Sequence, residues 1–327
     1  MLWVNVVEIL GLGGLDQELR RVEPMLVSSV SAGDPFLDQV ATHLIQAGGK
    51  RLRPMLALAS ATRGKRTASD EDLLGGVAVE LVHLASLYHD DVIDEATMRR
   101  GTDSVNSRFG NLMAIVGGDY LLARSAEIAA SLGTEVAGLL ATTLSRLCQG
   151  QVSEVKTAFS VERTAEQYFE AIAGKTAALM ATSCRIGALT GQATRDEVEA
   201  LTRFGTNFGM VFQLRDDILD VVATDGELGK PPGQDLAEGV YTLPVLHALA
   251  EDEIGPELAA LLGQPLALPE RDKARAMVAS STGIAATIAV GRQFAEKATE
   301  ALGGVVSDQL GGALGALTES LFDDLPG

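Results

Sequence analysis

The chain has 327 residues, of which 46% are hydrophobic and 21% charged, and its 26 basic and 44 acidic residues give a net charge of −18. This charge excludes nucleic acid as the main partner, since phosphate backbones require basic faces, and the hydrophobic share excludes a disordered chain. Cys148 and Cys184 form no CxxC pair, which excludes a disulfide framework and a cysteine-based zinc site. Without an apolar run of ~18 residues or a signal peptide, we expect a cytoplasmic protein.

Helices are predicted along most of the chain. Aromatic residues make up only 4% of it, and the abundance of Ala and Leu favours helix over strand. No proline lies between Pro54 and Pro231, whereas strands joined by loops would contain several. Apolar residues at helical spacing over 74–84 and 198–222 predict long, buried helices, with short turns at 133–134 and 191–192. We expect a single all-α domain over residues 1–327, with residues 1–14 and 320–327 disordered.

Two groups of three aspartates share the spacing i, i+1, i+4: Asp90, Asp91 and Asp94, and Asp216, Asp217 and Asp220. On a helix these positions fall within an arc of roughly 100°, so each group places its carboxylates on one face. Like charges this close require a cation, and hard oxygen ligands select Mg²⁺ or Mn²⁺. A solvated acidic face is the simpler alternative, but both groups lie in otherwise apolar helices. They therefore predict a multi-metal clamp for a polyphosphate.

Basic residues, which are scarce elsewhere, concentrate in two short segments beside glycines. Lys50, Arg51 and Arg53 follow Gly48-Gly49, and Arg99-Arg100 precede Gly101. Arginine offers a planar fork to phosphate oxygens and lysine a mobile charge, so these segments predict phosphate contacts, with ordinary surface charge as the alternative. His83 lies seven residues before Asp90, within ~20° of the same helical face. We interpret it as a ligand contact, with a core histidine as the alternative.

The motifs GGKRLRP, HLASLYHDDVID, RRG, GKT, FQLRDDILD and GK…DL…TLP stand in this order between residues 48 and 244. On these motifs the chain resembles the trans-isoprenyl diphosphate synthases (polyprenyl synthetases), in particular bacterial medium- and long-chain enzymes. The resemblance implies a bundle of long antiparallel helices around a deep central cavity, in a homodimer. It implies a transferase that condenses isopentenyl diphosphate with an allylic diphosphate, releases pyrophosphate and touches membranes at most peripherally, through its all-trans polyprenyl diphosphate product.

The resemblance also implies a role for each residue of the site. The six aspartates would hold three Mg²⁺ with the allylic diphosphate, Asp220 least directly. The allylic diphosphate would be contacted by Arg99, Lys175 and Lys230, and isopentenyl diphosphate by Lys50, Arg53, His83 and Arg100. The catalytic residues would be Lys175, Thr176, Gln213 and Lys230. Thr176, Gln213 and the Lys175 carbonyl would stabilise the carbocation, and residues 230–233 would form a lid.

Two features of the sequence bear on the substrates. Val240 stands where the family often has a lysine that touches the allylic diphosphate, and we expect this change to raise the KM without abolishing activity. Ala85 and Ser86 lie five and four residues before Asp90, where short-chain members carry bulky aromatic residues. These small side chains leave the tunnel open and predict a medium or long product, with geranylgeranyl diphosphate synthase as the alternative.

Two alternatives come from other functional classes. A non-catalytic partner subunit would keep the fold but lose the aspartates, and both groups are intact here. A terpene cyclase would usually replace the second aspartate group with an Asn/Ser/Glu motif and would not need the cations at Lys50 and Arg53. Both alternatives are therefore disfavoured by the residues present.

Overall fold

The computed structural model describes residues 6–223 and 232–325. Its helices, in chain order, are α1 (Val6–Leu10), α2 (Leu15–Ser29), α3 (Pro35–Gln46), α4 (Leu52–Thr62), α5 (Asp70–Ile93), α6 (Val105–Phe109), α7 (Asn111–Ser131), α8 (Thr134–Lys156), α9 (Ala165–Ile172), α10 (Ala178–Thr190), α11 (Arg195–Val222), α12 (Gln234–Ala237), α13 (Leu243–Leu249), α14 (Gly255–Leu261), α15 (Leu268–Ser280), α16 (Gly283–Leu302) and α17 (Asp308–Glu319). A π-helical turn, Ala173–Ala177, joins α9 to α10, and a 3₁₀ turn, Ser320–Phe322, follows α17. Two short strands, β1 (Met98–Arg99) and β2 (Thr102–Asp103), pair antiparallel. The all-α prediction is confirmed.

The two helices that carry the aspartate groups are long and begin in the same way. Ser69 before α5 and Thr194 before α11 each form a capping box with the acidic residue three positions later, Asp72 and Glu197. Such a box satisfies backbone amides that would otherwise lack partners at the start of a helix. Both helices then run for 24 and 28 residues to the aspartates at their C-terminal ends. Since the helix dipole is negative at that end, these carboxylates require a compensating cation all the more.

Close packing of α10 against its neighbours sets the positions of the site residues. A Cβ atom on Gly187 would lie 1.9 Å from the Ala57 carbonyl oxygen of α4, so only glycine lets these helices approach so closely. In the same way, a Cβ atom on Gly209 of α11 would lie 2.6 Å from the Ala177 Cα. The largest apolar cluster runs from Leu10 to Leu321 and unites helices from both halves of the chain.

The chain termini differ from the sequence-based expectation. Residues 1–14 were expected to be disordered, but residues 6–14 contain α1, and Leu10 and Leu12 are buried. Residues 320–327 carried the same expectation, yet Leu321 in the final 3₁₀ turn is buried as well. The physical reason is mutual packing, because α1 contacts α17 and all three leucines belong to the main apolar cluster.

Helices α15 and α16 form a bent pair with apolar stretches. Within residues 6–223 and 232–325, no single helix has both the length and the apolar composition needed to cross a membrane. Helices α15 and α16 meet those two criteria only when taken together, and they are bent by 63° at the break between them.

Candidate active site

The first aspartate group closes helix α5. Asp91 is fully buried, and its Oδ1 accepts hydrogen bonds from Arg99 Nε at 2.7 Å and Arg99 Nη2 at 2.6 Å. Its Oδ2 is buried without a hydrogen-bond partner in the described structure. The effect of burial outweighs the attraction of the Arg99 guanidinium, so the pKa of Asp91 is raised. Burial also raises the pKa of Asp90 to about 6, although the Lys175 ammonium opposes this shift. At this end of α5, the nearby cations Arg99 and Lys175 therefore only partly neutralise the carboxylates of Asp90 and Asp91.

A β-hairpin with a two-residue turn directs the side chains of two adjacent arginines to different partners. Arg100 and Gly101 connect β1 to β2 with φ angles of 53° and 75°, as a turn of type I′ requires. Arg99 points to Asp91, whereas Arg100 Nη1 donates to the Leu44 carbonyl at 3.2 Å and to that of Gly48. One turn thus supplies a cation to each of two neighbouring groups of side chains, one around Asp91 and the other around His83.

The group around His83 contains basic residues predicted to bind isopentenyl diphosphate. Arg100 Nη2 lies 3.5 Å from His83 Nε2, and Arg53 has a buried Nε without a hydrogen-bond partner in the described residues. Burial, together with the charges of Arg53 and Arg100, lowers the pKa of His83 well below its usual value, so the ring is neutral. Lys50 is exposed, but the surrounding protein partly desolvates its ammonium, and this desolvation outweighs the attraction of Asp216 and lowers its pKa to about 8.

Arg51, within the same basic segment, has a different role. It is 7% exposed and forms ion pairs with Glu23 at 2.6 Å and with the buried Glu80 at 3.0 Å. These contacts tie the start of α4 to α2 and α5. Ordinary surface charge is therefore the wrong interpretation for Arg51, which is a structural residue that positions Lys50 and Arg53 on either side of it.

The second aspartate group ends helix α11. Asp217 is 2% exposed and accepts hydrogen bonds from the Tyr168 hydroxyl and from Gln213 Nε2 at 2.7 Å. Burial raises the pKa of Asp217 to about 7. Asp216 is exposed. Asp220 accepts hydrogen bonds from the backbone amides that begin α12, Gln234 at 3.3 Å and Asp235 at 3.2 Å. This engagement with backbone agrees with its expected indirect role.

Lys175 and Thr176 lie on the π-helical turn. Gly150 of α8 lies so close to this turn that a Cβ atom on it would be 2.5 Å from the Lys175 nitrogen. Such turns are frequent at functional sites because they reorient side chains within a helix. Lys175 Nζ lies 2.5 Å from Glu154 Oε1, and Thr176 Oγ1 donates to Gln213 Oε1 at 2.6 Å.

A cavity of about 110 Å³ lies at the centre of these contacts. Its lining includes Arg163, Tyr168, Lys175, Thr176, Asp217 and Val240. The predicted site residues do not include Glu154, Arg163 and Tyr168, because each contacts its partner only through tertiary packing and none belongs to a motif. Lys230 and Pro231, two of the four residues of the predicted lid at 230–233, lie outside the described residues.

The aspartate groups fit a hard divalent cation that takes few protein ligands. Within the described ranges no three His, Cys, Asp or Glu side chains converge on one point as a preformed metal site. The donors are nevertheless all carboxylate oxygens, and the buried Asp91 Oδ2 has no partner. Mg²⁺ prefers this kind of incomplete protein shell, because it completes its octahedron with waters and phosphate oxygens. The residues present therefore fit Mg²⁺.

An all-α protein whose two aspartate groups each include buried carboxylates, with arginine and lysine side chains nearby, has the features of an enzyme that acts on diphosphates. Residues 34–278 match the polyprenyl synthetase family, and the chain belongs to this family. It is therefore a prenyltransferase. The structure is similar to that of a polyprenyl synthase from Caulobacter crescentus complexed with calcium and isoprenyl diphosphate, with a TM-score of 0.90, 29% identity and 98% coverage of both chains.

Relatives with named products point to longer prenyl chains. The chain is 38% identical over 286 residues to the nonaprenyl diphosphate synthase of Mycobacterium tuberculosis, covering 86% of this chain and 85% of that protein. It is 39% identical over 307 residues to heptaprenyl diphosphate synthase component 2 of Geobacillus stearothermophilus, covering 92% and 93%. The predicted family is thus confirmed.

Proposed function

We propose that the protein condenses isopentenyl diphosphate with an allylic diphosphate to give a medium- or long-chain all-trans polyprenyl diphosphate and pyrophosphate. It works as one all-α domain in the cytoplasm with three Mg²⁺ per site. The observation that carries the proposal is that two adjacent arginines have different partners, Arg99 at Asp91 and Arg100 beside His83, since condensation requires a pocket for each of two diphosphates. A terpene cyclase needs only one such pocket, and a non-catalytic subunit needs neither.

Different residues of the chain bind the two substrates. When bound, Mg²⁺ supplies Lewis-acid stabilisation of the leaving diphosphate. Arg99, Lys175 and Lys230 bind the allylic diphosphate, and Lys50, Arg53, His83 and Arg100 bind isopentenyl diphosphate. Thr176 and Gln213, linked at 2.6 Å, direct their oxygen dipoles at the allylic carbocation.

The proton lost at the end of the reaction goes to the released pyrophosphate. Glu154 lines the cavity but is ion-paired with Lys175, so it does not serve as the base. Pyrophosphate leaves from the pocket next to the new carbon–carbon bond and is a strong enough acceptor for this step.

The direct test uses the purified chain with farnesyl diphosphate, isopentenyl diphosphate and Mg²⁺. We expect pyrophosphate release and, by reversed-phase chromatography of the dephosphorylated product, prenyl chains longer than C20. A product that stops at C20 would identify a geranylgeranyl diphosphate synthase. Cyclised terpenes formed without isopentenyl diphosphate would overturn the proposal.

A medium or long product is supported by the apolar residues beyond the aspartates. One apolar cluster extends along α5, α8 and α10 from Leu179, four residues after Lys175, towards Val136. All its members are aliphatic, so no aromatic ring blocks this direction. Ser86 lies half-buried on the same α5 face as His83 and Asp90, whereas Ala85 is fully buried.

Bulky residues at these two positions should shorten the product. We expect Ser86→Phe to shift it towards C20 because the ring lies one turn from Asp90 on the cavity side. Ala85→Phe should also shorten it, at a cost in stability from overpacking. Product chromatography and melting temperature measure the two effects. Ser280→Phe is the matched control, since Ser280 makes the same bond to the carbonyl three residues before it but is exposed. Unchanged product length in Ser86→Phe would contradict the tunnel.

Gly49 should control the affinity for isopentenyl diphosphate alone. A Cβ atom at this position would lie 2.8 Å from the Arg100 guanidinium carbon, and its φ of 151° disfavours other residues. We expect Gly49→Ala to displace Arg100 and raise the KM for isopentenyl diphosphate about tenfold, the cost of roughly one charge-assisted hydrogen bond. The KM for the allylic diphosphate should stay constant. Gly138→Ala on exposed α8 is the control, and equal changes in both KM values would contradict two separate pockets.

Homodimerisation is supported by exposed apolar residues on α7 and α8. Leu112 is 72% exposed, Val155 59% and Val152 52%. The similarity to a heptaprenyl synthase component 2 favours a second possibility, in which a different chain covers this face. Light scattering coupled to gel filtration distinguishes them: an active dimer of the single chain supports the homodimer, and an inactive monomer supports a second component.

A further inference from the structure

Arg163, two residues before α9, lines the same cavity as Lys175, Asp217 and Val240. Its side chain is fixed from two sides: Nη1 donates to the Tyr241 carbonyl at 3.0 Å, and the guanidinium carbon lies 5.5 Å from the centre of the Tyr168 ring. The residue is only 5% exposed, and its Nε is buried without a hydrogen-bond partner among the described residues. The guanidinium is therefore held in place, and its Nε–H donor has no hydrogen-bond partner among the described residues.

The Arg163 guanidinium forms no ion pair with a neighbouring carboxylate among the described residues. Glu154, Asp217 and Asp235 act on it through space, but none forms an ion pair with it within 4.0 Å in the described part of the chain. Glu154 binds Lys175, and Asp217 binds Tyr168 and Gln213. A buried cation without a bound anion is costly, and the cost is recovered when an anion enters the cavity.

We propose that Arg163 binds the diphosphate of the allylic substrate, an assignment that rests on the proposed function. With Nη1 held by Tyr241, the adjacent Nε–H and Nη2–H remain as a pair of parallel donors, the arrangement that suits two phosphate oxygens. Val240 lines the same cavity without a charge. Arg163 thus provides, from the loop before α9, positive charge that residue 240 lacks.

Replacing Arg163 by methionine tests this assignment because methionine keeps much of the bulk and removes the fork. We expect Arg163→Met to raise the KM for the allylic diphosphate, and the dissociation constant of magnesium pyrophosphate, ten- to a hundredfold. The KM for isopentenyl diphosphate should change less than twofold. Arg185→Met, which removes an arginine bound to Glu199 on the outside of α10 and α11, is the matched control and should leave all three constants unchanged.

A second variant separates substrate binding from the structural contact with Tyr241. Adding Val240→Lys to Arg163→Met returns a cation to the cavity without restoring that contact, and we expect it to recover at least tenfold in pyrophosphate affinity. If Arg163→Met leaves the KM and pyrophosphate binding unchanged, or if Val240→Lys recovers neither, the assignment is overturned.

The pyrophosphate titration also distinguishes this inference from the proposed function, because it needs no turnover. A wild-type chain that binds magnesium pyrophosphate but forms no product overturns the proposed reaction and leaves the Arg163 comparison intact. If the wild-type chain forms polyprenyl diphosphate but Arg163→Met binds magnesium pyrophosphate with the same affinity as the wild type, only the role of Arg163 is overturned.

Discussion

Asp90→Asn should lower the rate of pyrophosphate release by about 10²–10³-fold, the loss typical of removing one preorganised charged group from a transition state. The Asp90 backbone carbonyl accepts a hydrogen bond from the Asp94 amide, but its carboxylate accepts none from a described residue, so asparagine removes the charge without breaking a hydrogen bond. Burial raises its pKa to about 6, which means that the fold does not gain stability from this charge. We therefore expect an unchanged or higher melting temperature.

Initial rates at increasing Mg²⁺ concentration measure this effect, and the melting temperature excludes misfolding. Asp252→Asn removes the same charge from an exposed position and should match the wild-type rate. If Asp90→Asn retains more than a third of that rate at saturating Mg²⁺, the aspartate group is a solvated acidic face and not a metal clamp.

Lys175→Met should lower kcat about a hundredfold and destabilise the protein by about 2 kcal/mol. The catalytic loss arises because the Lys175 charge acts on Asp90 from the π-helical turn and sits at the cavity where the leaving diphosphate gains charge. The stability loss has another source: Glu154, 15% exposed, is left without its partner. Denaturant unfolding and single-turnover kinetics measure the two losses separately.

A double variant shows that these losses are independent. Lys175→Met combined with Glu154→Leu removes the unpaired carboxylate, so we expect most of the stability to return while kcat stays low. Lys273→Met breaks an exposed pair with Glu257, 53% and 62% accessible, and should change neither quantity appreciably. Recovery of activity together with stability in the double variant would show that Lys175 has only a structural role.

The adjacent arginines Arg99 and Arg100 have different partners in the structure. Arg99 is bound to Asp91 on the metal side, and Arg100 is bound to backbone carbonyls beside His83. The turn between their strands fixes this division, since residues 100 and 101 both have positive φ. The net charge of −18 therefore does not describe the local charge beside the first aspartate group, where these two arginines lie.

The sequence by itself determined the helical fold and both aspartate groups. Apolar residues at helical spacing predicted α5 and α11, and the aspartate spacing placed three carboxylates at the end of each. These features are local: a helix brings residues i, i+1 and i+4 together wherever it lies in the fold. The family was recognisable for the same reason, because its motifs are short and contiguous.

Only the tertiary structure decided what surrounds those carboxylates. Tyr168 meets Asp217 across 49 positions and Glu154 meets Lys175 across 21, and no local pattern marks either pair. The π-helical turn depends on the contact with Gly150 of α8, and the structural role of Arg51 depends on Glu23 and Glu80. Such contacts arise from how the helices pack against one another, which periodicity along a single helix does not encode.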